Sequence, residues 1–281
     1  MGQGHTAQGF TLIELSIVLV IIGLIVGGIL VGQDLIKAAE VRAQISQIEK
    51  YNQAVNTFRA KFQAIPGDMA LSSANQFGFA DSGCDGTQGK RDGNGLVEGA
   101  GGFFNTGANE PALFWQDISS AIAGNLIDGQ FPNSGAAAIP GCATQPGNLT
   151  TTPGTLFIGD FLPAGKIGHG NFIYVYATSG YNWYGISQIS VIYTTAEVVS
   201  AGSIPVILAY NIDKKIDDGL PTTGAVQAVF LNGSVTATSA APNAATDSTT
   251  TCYNTISNVY SIGSAANYGA GGNCALSFRF Q

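Results

Sequence analysis

The sequence predicts an α+β protein in which a long N-terminal helix, first membrane-spanning and then amphipathic, packs on a globular domain with an antiparallel β-sheet. An apolar run at Phe10–Gly32 leads into Gln33–Ala64, which contains neither Pro nor Gly, so one helix can continue through both. After Pro66-Gly67 the chain changes to short β-branched and aromatic segments separated by turn residues. That change is typical of a sheet domain.

Charge is distributed unevenly along the 281 residues, whose formal net charge is −7. Residues 10–62 hold five basic and four acidic groups, whereas residues 63–281 hold six basic and fourteen acidic groups. An acidic outer domain repels nucleic acid at long range. A nucleic-acid partner is therefore not expected, while the apolar run makes a membrane an expected partner.

The apolar run has the length of a transmembrane helix at about residues 10–32, and Glu14 is its single formal charge. At about 1.5 Å per residue it spans about 34 Å, enough for a bilayer core. A cleaved secretory signal would need a basic leader and a shorter apolar stretch, and MGQGHTAQG contains no Lys or Arg. Because Lys37 and Arg42 follow the run, composition alone leaves the orientation open.

The string Gly9-Phe10-Thr11-Leu12-Ile13-Glu14 resembles the prepilin signature of type IV pilins and type II secretion pseudopilins. The resemblance implies a pilin-like fold and a leader, residues 1–9, that a prepilin peptidase removes between Gly9 and Phe10. It also implies N-methylation of Phe10. The mature protein is then expected in the bacterial inner membrane, with its bulk outside the cytoplasm, until an inner-membrane assembly platform adds it to a filament of pilin subunits.

Two positions depart from the pattern of that family. Family leaders usually carry Lys or Arg, and here His5 is the one residue of the leader that can become basic. Many members have a proline where this chain has Val31. Close packing between helices would then rely on the small-xxx-small pairs Gly23/Gly27 and Gly28/Gly32.

Glu14 is predicted to control assembly. A charged carboxylate is costly in lipid unless it has a partner. Cleavage creates an amine at Phe10, and the resemblance implies that the amine of an incoming subunit pairs with Glu14 of its predecessor. An unpaired buried charge is destabilising, so Glu14 would favour the correct axial register.

The second half of the helix is predicted to be amphipathic and to end at about Ala64. Its apolar stripe has helical spacing, and consists of Val41, Ile45, Ile48, Val55, Phe58 and Phe62. Polar residues, Gln44 and Gln47 among them, are expected on the other faces.

Residues 65–281 are predicted to form a periplasmic or extracellular α+β domain. The expected strands are Thr155–Phe161, Asn171–Tyr176, Ser187–Tyr193, Ile204–Tyr210, Ala225–Leu231 and Leu276–Phe280. Glu110–Leu126 is the one expected second helix, because Pro111 suits a first helical turn. The low-complexity stretch Thr236–Thr251 is expected to be an exposed loop.

The four cysteines favour disulfides over a metal site, because no CxxC pair is present. A location outside the cytoplasm would allow disulfides to persist. The favoured pairing joins Cys252 to Cys274 and leaves Cys84 with Cys142. Four reduced, buried cysteines are the alternative.

Two acidic stretches are candidate Ca²⁺ sites. In residues 81–98 the candidate ligands are Asp92, Asn94 and Glu98, although Lys90 and Arg91 beside them argue against strong binding. In residues 210–224 they are Asp213, Asp217 and Asp218. The second stretch resembles a segment of several pilin-like proteins, and calcium orders loops in major pseudopilins, although the resemblance carries over no ligand set residue by residue. The alternative for both stretches is an ordinary polar turn.

An enzymatic function is not expected, because His169 stands alone between two glycines and no G-x-S-x-G motif occurs. The sequence favours a structural subunit of a type IV pilus or of a type II secretion pseudopilus, without choosing between the two. The alternative is a minor pilin at the filament tip that binds DNA, a surface or a secreted substrate. A membrane-anchored periplasmic enzyme is the third hypothesis.

Overall fold

The computed structural model describes residues 11–80, 91–98, 110–131, 148–152, 157–193, 198–233, 237–243, 250–263 and 269–280. It confirms the α+β class, since a long N-terminal helix precedes a domain built on an antiparallel sheet. The helices are α1 (Leu12–Phe62), α2 (Leu71–Phe77), α3 (Glu110–Ser119) and α4 (Val206–Ile216), with a 3-10 turn at Ile158–Asp160. The strands are β1 (Leu149–Thr150), β2 (Asn171–Thr178), β3 (Tyr181–Ile192), β4 (Val198–Ala201), β5 (Ile204–Pro205), β6 (Val226–Gln227), β7 (Val229–Leu231), β8 (Ala237–Ser239), β9 (Pro242–Asn243), β10 (Tyr253–Asn254), β11 (Val259–Tyr260), β12 (Gly272–Cys274) and β13 (Leu276–Arg279).

Helix α1 is 51 residues long, about 77 Å at the usual rise per residue. Its most apolar stretch is not covered by the described parts of the chain, and the helix is long and apolar enough to cross a membrane. It ends at a left-handed Gln63, whose φ is 56°, so the helix stops before Pro66-Gly67. The apolar first half of α1 is thus uncovered by the described part of the domain, and the second half packs against the domain.

The main sheet is organised around the 12-residue strand β3. Strand β2 pairs with β3 from Asn171 to Thr178 and joins it through a tight turn at Ser179-Gly180. Strand β13 pairs with β3 on one side and with β6 on the other, while β1 and β4 pair with the C-terminal end of β3. All of these pairings are antiparallel, so neighbouring strands place large side chains in the core beneath the sheet.

The second half of α1 is fixed to the domain by polar as well as apolar contacts. Gln44 and Gln47 are buried rather than outward-facing, which corrects the sequence-based expectation. The Gln47 amide donates to the Ala164 carbonyl at 2.9 Å and accepts the Lys166 N–H at 2.9 Å. Gln44 accepts the N–H of Ile167 at 3.0 Å. The two glutamines thus act as a hydrogen-bonding edge for segment 164–167.

Two predicted strands are wrong. Val206–Ile216 is a helix, and of the predicted strand Ile204–Tyr210 only Ile204–Pro205 is extended. In the predicted strand Thr155–Phe161, the described part contains a 3-10 turn at Ile158–Asp160. The β-branched residues misled the prediction because α4 is half-buried against α1, and tertiary packing overrides β-propensity.

The second helix and the strand at residues 225–231 are present with changed boundaries. The second helix ends at Ser119 instead of Leu126, since residues 121–124 form turns. The strand predicted at Ala225–Leu231 is interrupted at Ala228, and an additional short helix, α2, follows α1. The low-complexity stretch Thr236–Thr251 is not simply an exposed loop as expected: in its described part β8 pairs with β7, β9 pairs with β10, and Ala240 is buried.

Cys252 and Cys274 form a disulfide, the pair that the sequence analysis favours. Both residues are fully buried, and their Cα atoms are 4.9 Å apart. The bond links the residue before β10 to the end of β12, the strand that pairs with β5. Cys84 and Cys142, the other predicted pair, lie outside the described residues.

Candidate functional site

The N-terminus of α1 is closed by its own side chains. The Glu14 carboxylate accepts the Thr11 N–H at 2.7 Å and the Thr11 hydroxyl at 2.8 Å. The Glu14 N–H in turn donates to the Thr11 hydroxyl oxygen at 3.3 Å, which completes a capping box. Glu14 therefore has local hydrogen-bond donors in the unassembled subunit. Gly9 and Phe10, the predicted cleavage site, lie outside the described residues.

The glycines of the apolar segment have no packing role within the described subunit. A Cβ added at Gly23, Gly27, Gly28 or Gly32 would meet no heavy atom within 4 Å. Glycine lowers helix stability relative to alanine by about 0.5–1 kcal/mol in water. These positions are open to close approach by another helix, as the small-xxx-small spacing predicts.

Comparison with known protein families identifies the same end of the chain. Residues 5–30 match the family described as the prokaryotic N-terminal methylation motif. The chain therefore carries the signature of type IV pilins and pseudopilins, which supports a type IV pilin-like substrate of prepilin peptidase. Searches of curated proteins and of solved structures found no match.

The first set of predicted calcium ligands, Asp92, Asn94 and Glu98, lies together, but the Asn94 side chain faces the two carboxylates with its N–H group. The Asn94 amide nitrogen donates to Asp92 at 3.1 Å and to Glu98 at 3.3 Å. The Asn94 side-chain oxygen, the atom that would bind a cation, accepts the Leu96 N–H at 2.7 Å. Arg91, predicted to weaken cation binding here, is instead buried against Asp117. The contacts of Asn94 therefore support the turn interpretation of this stretch.

Two acidic residues that the sequence analysis missed complete this cluster. Carboxylate oxygens of Asp68, Asp92 and Glu110 lie within 4.8 Å of one another. Asp68 accepts the N–H groups of Asn94 and Gly95. Glu110 accepts those of Asp92 and Glu98, the first at 3.4 Å. Asp68 and Glu110 thus hold the segment 91–98 in place.

The only sequence signal for these two residues was the position of each beside a turn or a helix start. Asp68 follows Pro66-Gly67, and Glu110 opens α3. Gly67 has a φ of +83°, and a Cβ there would collide with the Glu110 carbonyl oxygen. This close backbone approach brings the two carboxylates together, and it depends on residues about forty positions apart.

Burial makes this cluster sensitive to pH. Burial raises the pKa of Glu110 to about 8, with backbone N–H groups opposing the shift and the nearby Asp68 and Asp92 adding to it. Burial likewise raises the pKa of Asp68 to about 6. The folded state therefore keeps a proton that the unfolded chain releases above its ordinary carboxyl pKa. The contribution of these two carboxyls to stability is therefore fully present below their ordinary pKa values and is lost as pH rises through about 6 for Asp68 and about 8 for Glu110.

We expect the free energy of unfolding to decrease by about 2–4 kcal/mol between pH 5 and pH 8 because of Glu110. Urea titrations with chelator present, on a chain starting at Gln33, measure it. Glu110→Gln keeps the shape of the side chain but cannot titrate. The free energy of unfolding of this variant should therefore change less with pH than that of the wild type, and should be greater than that of the wild type at pH 8. If the free energy of unfolding of Glu110→Gln changed with pH as much as that of the wild type, Glu110 would not be the group that titrates.

The second predicted set of ligands, Asp213, Asp217 and Asp218, also converges within 4.8 Å. Asp213 is buried, accepting the Tyr260 hydroxyl at 2.7 Å and the Gly219 N–H at 3.1 Å. Asp217 accepts the N–H groups of Ala225 and Val226 at the start of β6. Asp218 accepts a backbone N–H and the Thr223 hydroxyl. These contacts shape the turn between α4 and β6.

Calcium binding in either acidic stretch, by Asp92, Asn94 and Glu98 or by Asp213, Asp217 and Asp218, stays a prediction from the sequence. Calcium takes six to eight oxygen ligands, and each cluster offers three carboxylates that already accept hydrogen bonds from the surrounding loop. Burial also raises the pKa of Asp213 to about 6. Loop support is thus a sufficient explanation of both acidic stretches. A chelator-sensitive rise in melting temperature on adding calcium would establish binding.

His169 lies in an exposed left-handed turn, with a φ of 56° between two glycines that also have positive φ. Its carbonyl accepts the Ser203 hydroxyl at 3.1 Å. The structure gives no hydrogen bond from its imidazole to a nucleophile among the described residues. The histidine is accounted for by the turn that precedes β2.

Proposed function

We propose that this protein is a structural subunit of a type IV pilus or a type II secretion pseudopilus. Prepilin peptidase cleaves it between Gly9 and Phe10, and the new N-terminus at Phe10 is methylated. The observation that carries the proposal is the methylation motif at residues 5–30, placed on a helix with an uncovered apolar half.

The exposed half of α1 supports both a membrane-held and a filament-held state. Large apolar side chains along Leu12–Val31 are at least half exposed in the described subunit, which is costly in water. Lipid covers them in the inner membrane, and helices of neighbouring subunits cover them in a filament. The same surface therefore contacts lipid before assembly and neighbouring subunits after assembly.

The proposed location places the domain outside the cytoplasm, with the subunit held in the inner membrane by a single pass. The disulfide between Cys252 and Cys274 supports this orientation, because disulfides persist in oxidising compartments. The partners are then other pilin-like subunits, the peptidase and an inner-membrane assembly platform.

The proposal predicts the mass of the mature N-terminal peptide. Mass spectrometry of the chain from its native membrane should find a peptide that begins at Phe10 and carries one additional methyl group. Gly9→Leu should leave the leader attached, because a bulky residue would occupy the cleavage position. A wild-type chain that keeps residues 1–9 would contradict the proposal.

A minor pilin at the filament tip that binds DNA, a surface or a secreted substrate is the alternative. The domain of more than 200 residues after the helix favours a minor subunit, while retention of Glu14 favours incorporation within the filament. Abundance in sheared filaments separates the two roles. A subunit of the shaft dominates the preparation, and a tip subunit is barely detectable.

A further inference from the structure

A groove of about 830 Å³ lies beside the second half of α1. One wall is the face of the helix between Ala43 and Thr57, and the other is formed by the segments 126–131 and 157–172. Apolar side chains such as Leu126, Phe131 and Phe172 contribute to its lining. The groove runs along about four turns of helix, a length that suits another helical segment.

Basic groups border this groove. Lys50 and Lys166 belong to its lining. Lys50 pairs with Asp128 at 3.2 Å in an exposed ion pair, and the side chain of Lys166 is exposed while its N–H donates to Gln47. Among the described lining residues, two lysines and one aspartate leave an excess of one positive charge, available to an acidic partner.

The same chain exposes an apolar segment with the opposite charge. Leu35 and Ile36 are 66% and 60% exposed. A bilayer core takes about 20 residues of helix, which the predicted membrane segment at residues 10–32 supplies, so Leu35 and Ile36 lie beyond it. Asp34 and Glu40 flank them, with Lys37 between, and the segment carries a net charge of −1.

We propose that the groove of one subunit holds residues 34–40 of helix α1 from a second copy of this chain. Leu35 and Ile36 then cover the apolar lining, and Glu40, one helical turn after Ile36, meets the basic rim. The inference rests on the proposed filament, because a contact between two different surfaces of identical subunits builds an open helical filament when its rotation does not close a ring.

The axial offsets distinguish this contact from the Glu14 contact. The centre of the groove is at about residue 50 and the centre of the segment at about residue 37, an offset of about 20 Å along the helix. Pairing of the Phe10 amine with Glu14 corresponds to about 6 Å. The subunit that contacts the groove is therefore further along the filament axis than the subunit that pairs with Glu14. Each subunit then contacts two different neighbours through α1.

Charge reversal in the full chain tests the contact. Lys166→Glu should reduce the subunit in sheared filaments about tenfold, with unchanged membrane level, because an exposed side chain is replaced. Lys166→Glu combined with Glu40→Lys should restore filaments. Lys215→Glu, an exposed lysine outside the groove lining, is the matched control and should assemble as wild type. In restored filaments, Ile36→Cys and Ala164→Cys should cross-link between subunits.

The outcomes separate the two proposals. Normal filaments from Lys166→Glu, or a double variant as defective as Lys166→Glu, would overturn the groove contact and leave the filament function intact. Absence of the Ile36–Ala164 cross-link in assembled filaments would overturn it as well. A wild-type chain that enters no filament would remove the proposed function, and the groove contact with it.

Discussion

Glu14→Ala should leave the subunit processed and held in the membrane while reducing its amount in filaments at least tenfold. In the proposed filament, the carboxylate pairs with the amine that cleavage creates on the next subunit. Removing it leaves a buried amine without a partner, and an uncompensated buried charge is strongly destabilising. Immunoblots of membranes and of sheared filaments measure the two quantities separately.

The capping box requires controls that separate the charge of Glu14 from its local role. Because Glu14 also accepts two hydrogen bonds from Thr11, an effect of Glu14→Ala could come from a frayed helix end. Glu14→Gln retains a capping side chain without the charge and should be excluded from filaments. Thr11→Ala removes the capping hydroxyl, keeps the charge and should assemble. Normal assembly of Glu14→Gln would show that the charge is not required.

Arg91→Ala should lower the free energy of unfolding of the domain by about 3–5 kcal/mol. Arg91 donates to both Asp117 oxygens, at 2.8 and 3.1 Å, and both side chains are about 1% exposed. Asp117 also accepts the Gly67 N–H at 2.8 Å. The substitution leaves a buried carboxylate without its cation. Urea unfolding of a chain starting at Gln33 measures the loss.

Two further variants determine whether the loss comes from the unpaired charge. Lys50→Ala breaks the exposed ion pair with Asp128, whose side chains are 64% and 93% accessible, and should cost less than about 1 kcal/mol. Arg91→Met combined with Asp117→Leu removes both charges and should recover part of the stability. A double variant less stable than Arg91→Ala would contradict the charge argument.

The linear parts of this protein could be predicted from the sequence. The Gly9–Glu14 signature consists of consecutive residues, so the sequence alone shows it, and the family match at residues 5–30 confirms it. Helix α1 followed from a long stretch without Pro or Gly, and its predicted end differs from Phe62 by two residues. Strands β2, β3 and β13 followed from β-branched and aromatic runs.

Helix α4 shows where that reasoning fails. The β-branched Ile204–Ile207 region resembles a strand, yet Leu208 and Ile212 are one helical turn apart and both are buried. Pro205 precedes the first turn, and Lys214 and Lys215 lie in the last, where cations are favourable. These signals were present in the sequence, but weighing them against β-propensity needed the packing surface that α1 supplies.

The sequence by itself determined the N-terminal methylation motif, the apolar helix and the presence of a sheet domain, because those features depend on neighbours within a few positions. Only the tertiary structure decided which polar groups are buried. Gln47 meets Lys166 across 119 positions, and Arg91 meets Asp117 across 26. A buried polar group is stable only when its partners satisfy it, and those partners become neighbours only once the chain has folded.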